Sequence, residues 1–157
     1  MDIDDRKDLD QEVIIFDPDK CTGCMYCMIS CTFKHYGETG FEKSFIRIVD
    51  DPRVPKRRFV GIHCAHCHEP LCLHACPANA IRKDERTGIV KISASMCLGC
   101  RACIAACPIS NPRFDADKRT VVKCDFCDGD PQCVKFCATE ALTRTTREFA
   151  RRRYSRG

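Results

Sequence analysis

Residues 97–108 read CLGCRACIAACP: cysteines at steps of three, three and four, closed by a proline. Residues 21–31, CTGCMYCMISC, keep the same spacing through Cys21, Cys24, Cys27 and Cys31. Two looser versions lie at 64–76, CAHCHEPLCLHAC, and at 124–137, CDFCDGDPQCVKFC. The sixteen cysteines thus fall into four quartets with none left over: Cys21, Cys24, Cys27, Cys31; Cys64, Cys67, Cys72, Cys76; Cys97, Cys100, Cys103, Cys107; and Cys124, Cys127, Cys133, Cys137. This is an internal repeat of one unit. The two irregular copies differ from the others only by residues inserted before the third cysteine.

Three thiols in two short steps wrap one face of an iron–sulfide cubane, while a fourth, one helical turn later, points away from it. The spacing resembles the bacterial ferredoxin run, in which the fourth cysteine serves the other cluster of a pair. Soft thiolates suit iron and sulfide. Zinc is the main competitor, but structural zinc sites use two close ligand pairs separated by a finger and need no third thiol in step.

Composition narrows the setting. Sixteen cysteines, no tryptophan and 157 residues leave little for an ordinary apolar core, and in a secreted chain this cysteine content would mean a disulfide scaffold. The start, MDIDDRKDLDQE, has no basic n-region and no apolar h-region, so reduced thiols and a cytoplasmic location are expected. No run approaches a membrane span. The formal charge of +4 suggests an acidic partner such as nucleic acid, yet each loaded site adds about −2 (four thiolates and a core of about +2), taking the total to about −4. With no helix-turn-helix or aromatic RNA-binding signature either, no nucleic-acid partner is expected. No phosphate loop, Ser-His-Asp set or carboxylate pair stands out, so no catalytic centre of the chain's own is expected.

After Cys76 the chain reads PANAIRKDERTGIVKISASMCLGC, which resembles the middle of a two-cluster bacterial ferredoxin: a turn after Cys-Pro, a strand from Ala80-Ile81, a hairpin at Gly88 and a second strand. That likeness implies that quartets two and three form one inner module, residues 63–107, with clusters on Cys64, Cys67, Cys72 and Cys107 and on Cys97, Cys100, Cys103 and Cys76. Quartets one and four both lack a following proline. They would form an outer module split by the first, residues 13–62 and 108–146, with clusters on Cys21, Cys24, Cys27 and Cys137 and on Cys124, Cys127, Cys133 and Cys31. VIIFDPDKCTGC supplies its entering strand and CATEALTRTT its closing one. Pairing of one with two and three with four is the open alternative.

His66 before the second cysteine, Pro70 and Pro131 two before the third, and the linker GFEKSFIRIVDD carry a wider resemblance over residues 13–143. The chain is similar to the four-cluster ferredoxin subunits of molybdenum and tungsten oxidoreductases, hydrogenases and carbon monoxide dehydrogenases, and within them to the small polyferredoxin subunits beside aldehyde:ferredoxin oxidoreductases. The resemblance implies an α+β protein of two interleaved modules stapled by four [4Fe-4S] clusters. It also implies a relay of electrons between a tungsten or molybdenum aldehyde-oxidising catalytic subunit and a ferredoxin- or NAD-linked acceptor, through a flavin or NAD subunit; clusters at both ends of the path would further let copies of the chain pass electrons to one another in a wire-like stack. A hydrogenase or carbon monoxide dehydrogenase subunit and a freely diffusing polyferredoxin are the rival readings.

Other residues invite plainer readings. His63, His66, His68 and His74 crowd the second quartet, where four thiols already suffice, so hydrogen bonding rather than iron ligation is expected of them. His35 reads as an ordinary surface or loop residue. Lys20, Arg101 and Lys123 read first as surface cations beside the cysteine loops, with raising of the local cluster potentials through charge as the alternative, and Gly23 and Gly99 read as backbone room for a cubane. The acidic residues 1–12 and the arginine-rich residues 147–157 read as solvated tails, or in the second case as a docking arm.

Overall fold

The computed structural model describes residues 10–54 and 58–154; the outermost parts of both charged termini lie outside the described residues. In chain order the elements are β1 (Glu12–Phe16), α1 (Tyr26–Tyr36), β2 (Arg47–Asp50), β3 (Phe59–Ile62), α2 (Leu71–His74), β4 (Ile81–Lys83), β5 (Val90–Ile92), α3 (Ala102–Ala106), β6 (Arg113–Asp115), β7 (Thr120–Val122), α4 (Gln132–Lys135), β8 (Leu142–Thr146) and α5 (Arg147–Tyr154). Strands and helices are mixed along the chain, and each sheet has only two strands.

Three sheets are local hairpins: β2 with β3, β4 with β5 and β6 with β7. The fourth joins the ends of the chain, β1 running antiparallel to β8 from Glu12↔Thr146 to Phe16↔Leu142. The strand expected from Ala80-Ile81 is β4 and its partner is β5. Gly88 makes their turn at φ +70°, where a Cβ would collide with the Gln11 side chain.

Helix starts explain the irregular spacing of two quartets. In quartets one and three the helix follows a left-handed residue, Met25 at φ 60° and Arg101 at φ 64°. In quartets two and four it follows Pro70 and Pro131, whose carbonyls accept from Leu73 and His74 and from Val134 and Lys135. A proline fits the start of a helix, where its missing N–H is not needed. The residues inserted before Cys72 and Cys133 therefore install a proline-led turn that carries the third thiol. Helix α1 ends on Gly37 at φ 69°, whose N–H bonds the Phe33 carbonyl, and Lys34 complements the negative end of its dipole.

Cysteine is part of both apolar cores. One joins Ile14, Met28, Phe45, Ile46, Ile48, Ile89, Phe126 and Leu142 with Cys27, Cys31 and Cys133. The other joins Ile81, Val90 and Val121 with Cys72 and Cys103. Helix α5 buries no residue but is tied to its own chain: Arg147 donates to the His66 carbonyl at 2.7 Å, Arg153 pairs with Asp17 at 2.7 Å and the Tyr154 hydroxyl donates to the Phe16 carbonyl at 2.9 Å. Among the described residues no helix is long and apolar enough to cross a membrane.

Candidate metal centres

The residue before the second cysteine is left-handed in every quartet: Gly23 at φ 72°, His66 at 43°, Gly99 at 67° and Phe126 at 64°. In two quartets the amide of this same residue faces back toward the first thiol, the His66 N–H to Cys64 Sγ and the Gly99 N–H to Cys97 Sγ, both at 3.4 Å. The glycines thus serve a backbone conformation first. A Cβ on Gly23 would also lie 2.3 Å from the Phe59 ring. Gly23→Ala is expected to cost roughly 1–2 kcal/mol in backbone strain alone and to lower iron occupancy of the first quartet, measured as iron per chain and thermal midpoint beside wild type.

Thiols from different quartets meet. Cys21, Cys24 and Cys27 line one cavity with Cys137. Cys64, Cys67 and Cys72 line a second with Cys107, together with His66 and Lys123. Cys97, Cys100 and Cys103 line a third with Cys76. Burial first, then the charges of Cys31, Cys127 and Cys27, raise the Cys133 thiol; burial, then Cys64 and, more weakly, Cys133, raise Cys124.

Backbone amides also reach the other sulfurs: Phe45 N–H to Cys31 and Ala80 N–H to Cys76 at 3.3 Å, and Val121 N–H to Cys97 and Leu142 N–H to Cys137 at 3.4 Å. Burial pushes Cys27 up to about 12, with Cys137, Cys24 and Cys21 adding repulsion. It pushes Cys103 up to about 11, opposed by a backbone hydrogen bond and reinforced by Cys72, Cys76 and Cys97. Four such thiols carry charge together only around a cationic centre, and the amide donors favour the thiolate form. The donor set therefore fits iron–sulfide cores, with every ligand a soft sulfur.

Two residues outside the quartets differ from their sequence reading. His35, expected at an ordinary surface, lies against the fourth quartet, its Nε2 3.6 Å from Cys127 Sγ and 3.5 Å from Asp125 Oδ1, its ring 4.5 Å from that of Phe45. Burial lowers its pKa against the pull of Asp125. The available signal was its place four residues after Cys31, on the same helix face. Lys123, also expected on the surface, is 5% exposed. Arg101 and Lys20 are exposed as expected, Arg101 with its guanidinium over the Phe114 ring at 4.1 Å.

Two of the second-quartet histidines, His63 and His66, engage backbone through their rings. His63 Nε2 lies 2.8 Å from the Ile14 carbonyl. His66, 2% exposed, accepts the Val90 N–H on Nδ1 at 3.0 Å. Burial, aided by Lys123 and His63, pushes it down to about 2, so it is neutral. Its ring meets Phe126 edge-on at 5.6 Å. The left-handed residues of quartets two and four therefore pack on each other.

Comparison with known proteins agrees with this chemistry. A family model described as a 4Fe-4S dicluster domain matches residues 56–147, and one described as a 4Fe-4S binding domain matches residues 13–36. The polyferredoxin-like subunit of an aliphatic sulfonate oxidoreductase from Pyrococcus furiosus is 41% identical over 128 residues, covering 79% of this chain and 70% of that one. The electron transfer subunit of a thiosulfate reductase from Salmonella typhi is 32% identical over 147 residues, covering 84% and 74%. The beta subunit of an NADH-dependent phenylglyoxylate dehydrogenase from Aromatoleum evansii is 35% identical and covers 85% of this chain, which spans only 30% of it. Sixteen thiols in four quartets, together with these family-model matches and relatives, place the chain in the 4Fe-4S dicluster family as a non-catalytic electron-transfer subunit of the kind found in oxidoreductase complexes, carrying four [4Fe-4S] clusters.

Proposed function

We propose that the ligand sets are crossed: Cys21, Cys24, Cys27 with Cys137; Cys64, Cys67, Cys72 with Cys107; Cys97, Cys100, Cys103 with Cys76; and Cys124, Cys127, Cys133 with Cys31. An inner module, residues 63–107, is inserted in an outer one, residues 13–62 and 108–146. Supporting this are the three cavities that each join three thiols of one quartet to the fourth of another, the β1–β8 ladder, and the packing of α1 on α4 and of α2 on α3.

Bound clusters supply one-electron transfer. The chain's own residues set how readily each site accepts an electron: amides donate to thiolate sulfur, buried side chains exclude water, and nearby charges bias the potential. The chain serves a tungsten or molybdenum catalytic subunit that oxidises an aldehyde, passing electrons to a ferredoxin- or NAD-linked acceptor. The observation that carries a subunit role is the 41% identity to a subunit itself described as polyferredoxin-like. That relative's description also favours a second reading, in which the partner's substrate is an aliphatic sulfonate.

The test is anaerobic isolation of the native complex through this chain, with elemental analysis and dye reduction by aldehydes and by alkanesulfonates. Tungsten or molybdenum with aldehyde-dependent reduction is expected; sulfonate-dependent reduction alone selects the second reading. Nickel, or about sixteen irons per chain with no second metal and no second subunit, overturns both.

A further inference from the structure

Lys123 stands immediately before the fourth quartet. Its ammonium donates to the Cys124 carbonyl at 2.8 Å and to the Val90 carbonyl, and Val90 is itself 1% exposed on β5. No carboxylate among the described residues lies within ion-pair distance of it. The same side chain lines the cavity of Cys64, Cys67, Cys72 and Cys107. It is therefore held between two thiol sets that belong to distant parts of the chain.

A cation withdrawn from water without a counter-ion costs several kcal/mol, and two carbonyl dipoles offset only part of that. The charge that completes its environment is that of the loaded sites, each about −2. Geometry places it between two of them: it lines the cavity that holds Cys72 and bonds the carbonyl of Cys124. Cys72 belongs to the second set and Cys124 to the fourth.

We infer that Lys123 is a buried counter-charge shared by the second and fourth sets, which raises the reduction potential of both and leaves the first and third nearly unaffected. This rests on the ligand sets proposed above. When either site gains an electron, one negative charge is added beside a fixed positive one, and the attraction stabilises the reduced form; no proton transfer is involved. Lys123 is a positioning residue for charge, and it ties the electron affinity of an inner-module site to that of an outer-module one.

The experiment is an EPR-monitored redox titration of the fully loaded chain at fixed pH, comparing wild type with Lys123→Gln, which keeps a donor and drops the charge, and Lys123→Arg, which keeps the charge. In Lys123→Gln two of the four midpoints are expected to fall by at least a tenfold change in the one-electron equilibrium, about 59 mV. The other two stay in place, and Lys123→Arg stays near wild type. Four unmoved midpoints at full iron content overturn the inference, as does an arginine variant shifted as far as the glutamine one. If Lys123→Gln loads incompletely, the missing signals must be those same two; loss of all four or of another pair also overturns it. Cys72→Ser and Cys107→Ser test the ligand sets separately, because they must perturb one and the same signal whatever Lys123 does.

Discussion

Removal of iron by an anaerobic chelator is expected to abolish the folded structure, seen as collapse of the far-UV circular dichroism and of amide protection, both restored by iron, sulfide and reductant. The reason lies in the size of the parts. Strands of three to five residues are paired only in twos, and an isolated two-stranded hairpin is marginal in water. Among the described residues, helices α2, α3 and α4 span only four or five residues each and the longest helix spans eleven, below the length at which a helix persists unaided. The apolar cores that would hold them include Cys27, Cys31, Cys133, Cys72 and Cys103. Without metal these thiols must be buried protonated beside one another, and their packing around a core is lost.

Metal binding is folding free energy, about 10–16 kcal/mol for one structural zinc, against a whole-domain stability of about 5–15 kcal/mol. Loss of four centres exceeds anything the remaining contacts supply. A chain that keeps native amide protection with no iron bound would show that the apolar clusters suffice, and would remove the staple role from the thiols.

Single serine substitutions are expected to sort the sixteen cysteines into the crossed sets. Cys107→Ser should alter the EPR signal that Cys64→Ser alters and leave untouched the one altered by Cys97→Ser, although Cys107 lies ten residues from Cys97 and forty-three from Cys64. Cys76→Ser should behave in the mirror sense, and Cys31→Ser should match Cys127→Ser. Each variant loses about four of sixteen irons, or keeps a three-iron remnant. Were each quartet a self-contained site, Cys107→Ser and Cys97→Ser would strike the same signal. A one-with-two, three-with-four arrangement would instead join Cys31 to the second quartet.

The reach of the sequence ends where local chemistry ends. Cysteine identity and spacing act within a dozen residues, so the cofactor, the number of sites and the hairpin after Cys76 were legible in it. Glycine before Cys24 and Cys100 was read as room for a cubane, whereas the structure uses it for a left-handed turn that His66 and Phe126 also adopt with no glycine to mark it. There the conformation is enforced by burial of the two rings against each other, a contact between residues sixty apart in the chain. His35 could be placed on the Cys31 face of its helix, but what that face would meet was not legible, since Cys127 lies 92 residues away.

Lys20 and Lys123 make the same point with one residue type. Both directly precede the first cysteine of a quartet, and by itself the sequence treats them alike. Lys20 faces solvent, whereas Lys123 is enclosed because β5 brings the Val90 carbonyl to its ammonium from 33 residues away. The thiols and their metal were determined by the sequence alone, because ligand chemistry depends on what residues are and how closely they follow one another. Which charges and rings surround those thiols was decided only by tertiary structure, because burial and electrostatic influence depend on long-range packing that no local spacing records.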